Sequence, residues 1–272
     1  MPTWTEHVFA RKLGRAPAPG EVVELVPDLV GFHDLTGYHV LEMMEKMGGV
    51  DVFDKDRLVV AFDHLSPAPT VRAAEIQVYI RRHVRSLGLK NFHDVGEGIM
   101  HQLILERYAL PAQFVFGADS HTNMAGAVGA FAQGMGASDI AAMLKLGRTW
   151  LVAPQPMKVE IRGEPPRAVT GKDVVLHLLS IYKAEGLNGY SVDVYVERPC
   201  LPVDSRGSPQ HVDRAGGRRL DVRARFGDGG VSREDQRRRP QDRLHAGRQI
   251  RRRVHSRAGQ AGALSRRAPQ RG

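Results

Sequence analysis

The feature that most constrains this chain is an alternation. Short apolar runs at residues 58–62 and 114–116 are each followed at once by a polar knot, and segments of helical periodicity separate them. An apolar run of this length suits a strand buried on both faces, and such strands belong to parallel sheets covered by helices. The knots are Asp63-His64 and, beyond Gly117 and Ala118, Asp119-Ser120-His121. Residues 37–47 read as a helix with Val40, Leu41, Met44 and Met47 on one stripe, ended by Gly48-Gly49, and residues 70–87 as another with Pro67 and Pro69 ahead of it. Helices are also predicted at 5–13, 126–136, 140–146 and 171–183, and strands at 21–29, 157–161 and 191–196. Strands alternating with helices predict an α/β layered domain, in which ligands bind beyond the carboxyl ends of the strands. Both polar knots fall at such ends.

Charge divides the chain in two. The segment from Leu201 onward holds 19 of the 39 basic residues, all arginine, against 7 of the 30 acidic ones, and its single aromatic residue is Phe226. The first two hundred residues are therefore slightly acidic, and the net charge of +9 comes from the end of the chain. We expect an α/β domain over 1–206 and an Arg-rich tail over 207–272, where periodicity vanishes. By composition the tail is a solvated, disordered arm. Its abrupt change of usage also fits a shifted reading frame of a GC-rich gene. The clusters Arg237-Arg238-Arg239 and Arg251-Arg252-Arg253 offer phosphate contacts, but few aromatics interleave them, so nucleic acid is a disfavoured partner. Cys200 is the single cysteine, which excludes an intramolecular disulfide and makes a cytosolic setting the default. No stretch approaches the roughly 20 apolar residues of a membrane span.

Three polar groupings carry the candidate chemistry: Asp63-His64, His101, and Asp119-Ser120-His121. Imidazole and carboxylate at strand ends suit acid/base work, with the useful pairings made across knots in space. Each knot alone reads better as a helix cap, since Asp and Ser favour that position, and only the three together point to chemistry. A contiguous Asp-Ser-His is not a hydrolase triad, and no G-x-S-x-G elbow surrounds Ser120.

The segments carrying these knots resemble a known family. Val60-Ala61-Phe62-Asp63-His64, Gly96-Glu97-Gly98-Ile99-Met100-His101-Gln102, Phe116-Gly117-Ala118-Asp119-Ser120-His121-Thr122 and the glycine-rich stretch from Gly126 to Gly136 look like successive signatures of the aconitase superfamily. Their order and spacing match as well. His33-Asp34 followed by Thr36-Gly37 resembles the opening motif of the isopropylmalate dehydratase and homoaconitase branch; Lys172-Asp173 and Asp204-Ser205-Arg206 look like later landmarks. The resemblance runs from about residue 3 to 206. It implies an incomplete three-layer aconitase-like α/β domain and a hydro-lyase that isomerises a small hydroxy-polycarboxylic acid by dehydration and rehydration. It further implies a four-iron four-sulfur cofactor and a small swivel-domain partner subunit. By resemblance Asp63, His64, His101, Asp119 and His121 would be catalytic, supplying the proton-donating network, while Ser120, His33 and Asp34 would bind substrate. Homoaconitase and aconitase are the alternative activities, and a non-catalytic remnant binding nucleic acid through its tail is the alternative of another class.

The chain departs from the family after Arg206. An Asn and a Glu four residues apart are expected shortly beyond it, and the sequence there reads Gly207-Ser208-Pro209-Gln210-His211-Val212-Asp213. The family's three cluster cysteines have no counterpart, and Cys200 lies ahead of their positions, so no metal ligand is assigned in this sequence. The family's carbon base, which comes from another domain or subunit, has none either.

Overall fold

A computed structural model of the chain describes residues 2–162, 169–196 and 220–223. Helix α1 (Trp4–Leu13) starts in a capping box, with Thr3 accepting from Glu6 N and Glu6 returning the bond. Strand β1 (Val22–Leu25) follows, then β2 (Leu29–His33), α2 (Asp34–Lys46), β3 (Leu58–Ala61), α3 (Val71–Leu87), β4 (Phe92–His93) and the four-residue α4 (Met100–Leu103), which runs on into a π-turn, Ile104–Tyr108. Next come β5 (Phe114–Gly117), a 3-10 helix (Ser120–Val128), β6 (Phe131–Gly134), α5 (Ala137–Leu146), β7 (Thr149–Val152), β8 (Gln155–Ile161), α6 (Gly171–Gly186), β9 (Tyr190–Val196) and β10 (Leu220–Arg223).

The centre is a five-stranded sheet in the order β4-β3-β2-β5-β6, parallel throughout. Chain order runs outward from β2 through β3 to β4, then jumps back across β2 to β5 and β6. The strand order therefore reverses between β2 and β5, which in an open α/β sheet opens a crevice beyond their carboxyl ends.

Side chains alternate strictly across this sheet. Val30, Phe32, Leu58, Val60, Phe62, Phe114 and Phe116 face one layer, where α1, α2, α3 and α5 contribute Phe9, Val40, Leu41, Met44, Ile80, Ile140 and Leu144. Leu29, Val59, Ala61, Val115 and Ala132 face the other, against Met100, Leu103, Ile104 and Ala125. The second layer is built from smaller residues and lies closer: a Cβ on Gly31 would meet Ile104 Cδ1 at 3.1 Å. Close approach is what brings α4 and its His101 down to the strand ends. Helices on both faces of a parallel sheet confirm the α/β layered architecture.

β1 and β7 pair antiparallel, and β8, β9 and β10 form a separate parallel sheet with its own core of Val175, Leu187, Val192 and Val194. This smaller unit is tied to α1 by the buried carboxylate of Asp193, which accepts from Thr5 N and Thr5 Oγ1, both at 2.9 Å.

Two expectations are corrected. The strand predicted over 21–29 is two strands in different sheets, β1 and β2, divided at Pro27, whose missing N–H cannot extend a ladder. The helix predicted over 126–136 is the end of the 3-10 helix followed by β6. Phe131 N donates to Gln113 O at 2.7 Å, and the small residues Ala130 and Ala132 let β6 pack under the second layer. The expectations for 207–272 and for Cys200 lie outside the described residues, apart from β10, which pairs with β9.

Candidate functional site

Each candidate residue arrives at the sheet's carboxyl edge on a different loop. His33 ends β2 and Asp34 begins α2; Asp63 and His64 follow β3; His101 sits on α4; Asp119 and His121 follow β5. They converge on one carboxylate. Asp119 Oδ1 lies 2.8 Å from His101 Nε2 and 3.2 Å from His121 Nδ1, and Oδ2 lies 3.3 Å from His33 Nε2 and 3.9 Å from His64 Nε2. Four imidazoles thus surround a single anion at the switch point between β2 and β5.

The position of Asp119 is fixed from behind. It caps the 3-10 helix, accepting from His121 N at 2.7 Å, and Thr122 Oγ1 donates to its carbonyl at 2.7 Å. β6 passes so close that a Cβ on Gly134 would overlap the Asp119 carbonyl oxygen, and one on Gly117 would overlap Thr122 Oγ1. Because backbone rather than a flexible side chain blocks the space, Gly134→Ala is expected to cost about 2 kcal/mol. Urea denaturation checks this, and an unchanged midpoint would mean that β6 gives way freely.

His33 is fully buried and both of its ring nitrogens are engaged. Nδ1 accepts from Leu35 N at 3.2 Å, capping α2, so the neutral ring carries its proton on Nε2 and donates to Asp119. Asp34, also fully buried, accepts from His64 N and Leu65 N, both at 3.0 Å, and from Gln77 Nε2 at 3.1 Å. These two side chains hold other site residues in place. Ser120 is exposed at the start of the 3-10 helix.

Asp63 and His64 form a dyad. His64 Nδ1 lies 2.6 Å from Asp63 Oδ1, Asp63 Oδ2 accepts from Met100 N at 2.7 Å, and the His64 ring stacks on His33 with centroids 3.6 Å apart. The carboxylate fixes the tautomer and leaves Nε2, on a side chain 29% exposed, 3.9 Å from Asp119 Oδ2. Burial pushes the Asp63 carboxyl up, but the His64 contact and the Met100 N–H together hold it below its ordinary 3.8. The hydrogen bond to Asp63 raises the His64 imidazole above 6.5 against the opposing effect of burial. For Asp119, burial again acts upward and is overcome by His101, His33 and the His121 N–H, leaving the carboxyl far below the usual range.

These directions set a stability window. The Asp63 contribution is complete above its ordinary pKa and is lost as pH falls through the depressed folded value. That of His64 is complete below 6.5 and is lost as pH rises through the raised folded value. The destabilisation caused by His64→Ala is therefore expected to be largest near pH 5 and to shrink by pH 9. Equal penalties at both values in urea titrations would refute the coupling.

A model of the aconitase family (aconitate hydratase) matches residues 3–196. The chain belongs to the aconitase family. Among curated relatives, the 3-isopropylmalate dehydratase large subunit of Pyrobaculum neutrophilum is 71% identical over 209 residues, covering 76% of this chain and 50% of that protein. Those of Caldivirga maquilingensis and Saccharolobus solfataricus are 57% and 55% identical over 207 residues, with the same shares of each chain. The chain spans about half the length of the curated relatives it matches.

Aconitase-family proteins generally bind a four-iron four-sulfur cluster. The donor set of this chain does not fit one: its single cysteine is Cys200, the cavity offers only imidazole and carboxylate among the described residues, and such clusters are held by several thiolates. No helix among the described residues is long and apolar enough to cross a membrane.

Sequence reasoning missed Gln77 and Thr122. Gln77 was detectable: it is the one polar residue on the buried stripe of α3 formed by Ala73, Ile80, Val84 and Leu87.

Proposed function

We propose that this chain forms the proton-transfer part of a hydro-lyase large subunit acting on a small hydroxy-polycarboxylic acid, of the 3-isopropylmalate dehydratase type. The observation that carries this reading is the Asp63–His64 dyad opening onto the carboxylate shared by His33, His101 and His121. Loss of water from a β-hydroxy acid breaks a C–O bond and the C–H bond of the neighbouring carbon as the double bond forms; the carbon's proton goes to a base that the family resemblance places on another domain or subunit, and the departing hydroxide needs a proton of its own. His64 Nε2, on a ring held by Asp63 and with its pKa raised, is a suitable donor near neutral pH, and on rehydration it takes that proton back from the incoming water. His101 and His121 lie beside it, and the half-buried Asp119 carboxylate keeps their side of the site anionic.

Isopropylmalate, homocitrate and citrate share a malate-like core, so dehydration of homocitrate or citrate is the alternative within this class. The relatives' name, large subunit, supports a smaller partner that completes the site. We also propose that 1–206 is the catalytic-family segment and that the Arg-rich tail reflects a change of reading frame; resequencing that finds one continuous frame, with no better family match in another, would remove the second idea. On its own, this chain is expected to assemble no stoichiometric cubane cluster under anaerobic reconstitution, because the thiolates are missing.

The deciding experiment joins residues 1–206 to the remaining half of the Pyrobaculum neutrophilum relative, adds that organism's small subunit, and assays all three acids after cluster reconstitution. Isopropylmalate dehydration is expected, and His64→Ala in the chimera should lower kcat on the order of 100- to 10,000-fold. A folded, cluster-loaded chimera that dehydrates none of the three acids would overturn the assignment.

A further inference from the structure

His93 is a buried histidine that the proton-transfer chemistry leaves unused. It ends β4, is 7% exposed, and has both ring nitrogens engaged. Nδ1 lies 3.1 Å from Glu97 Oε2, and Nε2 lies 2.6 Å from the Tyr108 hydroxyl. A carboxylate can only accept, so Nδ1 carries the proton of the neutral ring and the Tyr108 O–H donates to Nε2. Burial pushes the Tyr108 phenol up, which keeps that hydroxyl protonated.

The two partners stand on either side of His101. Glu97 belongs to the loop that enters α4, and Tyr108 closes the π-turn that leaves it. This segment has little to hold itself with. Residues 95–99 are all exposed, Gly96 and Gly98 have φ of +87° and +142°, and α4 is four residues long, with no side-chain cap from Ile99 among the described residues. A single helical turn is not stable by its own hydrogen bonds. Packing of Met100, Leu103 and Ile104 against the sheet sets its depth, but apolar contact has no direction. The His93 ring supplies direction at both ends. Its own base is fixed, because Phe62 N donates to the His93 carbonyl at 2.9 Å, and the adjoining Asp94 accepts from Arg81 Nε at 2.9 Å and Nη2 at 2.6 Å.

We propose that His93 is a positioning residue, which holds His101 at the Asp119 carboxylate by tethering the entry and the exit of α4 to the edge strand β4. An apolar side chain would fill the same place without the cost of desolvating an imidazole, so direction is what the histidine adds. Its effect on turnover rests on reading the carboxyl edge as a proton-transfer site, whereas the tether belongs to the folded chain with or without that reading.

The test is made first on the full chain labelled with 13C- and 15N-histidine, the His101 ring signals being assigned by their loss in His101→Gln. In His93→Leu those signals are expected to shift and broaden as the ring leaves one fixed position, while the signals of His7 on α1 and His39 on α2 stay in place. His93→Gln keeps one donor for Glu97 and one acceptor for Tyr108, and should restore the parent position. Tyr108→Phe removes one tether and should give part of the shift; it decides if His93→Leu does not fold. In the chimera, His93→Leu should lower kcat about 100-fold with KM little changed, the loss expected of a displacement of about 1 Å, and His93→Gln should recover most of it. His101 signals that stay put in both His93→Leu and Tyr108→Phe, signals of all histidines that move together, or a His93→Gln chain no closer to the parent than His93→Leu would each overturn the proposal. A chimera that is inactive with His93 intact counts against the hydro-lyase reading alone, and the His101 spectra still decide the tether.

Discussion

Phe114→Ala is expected to destabilise the chain by about 4 kcal/mol, and to lower its melting temperature by about 10 °C. The ring is 1% exposed and stands edge-on to two others, Phe9 at 5.3 Å and Phe131 at 5.5 Å. Three elements meet at this point: α1, β5 and β6. The backbone around it is fixed, because Phe114 N donates to Asp28 Oδ2 at 2.7 Å and Asp28 N donates to Phe114 O at 2.9 Å. The walls cannot close on the vacated space, so both the transfer cost and the cavity cost apply. Phe114→Leu keeps most of the volume and should cost about 1.5 kcal/mol or less. A loss under about 1.5 kcal/mol for the alanine variant in urea titrations would show that this junction collapses readily.

For Asp34→Ala the expected loss is about 3 kcal/mol, from a different cause. The substitution removes no sizeable apolar surface but leaves three donors, His64 N, Leu65 N and the Gln77 amide, without their acceptor. Asp34→Asn presents one carbonyl oxygen and sets an NH2 group against a donor, so about half the loss is expected. Native-state hydrogen exchange distinguishes this from general weakening: the amides of residues 64 and 65 should exchange faster in the alanine variant than those of β3. If protection falls uniformly along the chain, Asp34 does not anchor this loop.

β3 and β5 were legible because burial on both faces writes a strand as an unbroken apolar run, 58–62 and 114–116. β2 was hidden because Gly31 and His33 interrupt its run, and β6 because Gly and Ala carry little propensity that tells a strand from a close-packed helix. At the site, Asp63, His64, Asp119 and His121 could be found as polar residues directly after such runs. His33 and Asp34 could be found but not understood. Whether a strand-end side chain faces a ligand or is spent on its neighbours depends on hydrogen-bond partners contributed 30 to 86 positions away. His101 could be found beside its glycines but not placed on an element, since a four-residue helix is too short to show a period.

The strand order has a consequence for how the cavity comes into being. His33 and Asp119 are 86 residues apart in the chain, and they meet only because β5 pairs with β2. Closing so long a loop is slow and entropically costly, whereas the Asp63–His64 contact lies between sequence neighbours. During refolding, proton affinity at His64 should therefore begin to rise before the ring of imidazoles around Asp119 exists, and the docking of β5 should be the event that gathers those imidazoles onto one carboxylate.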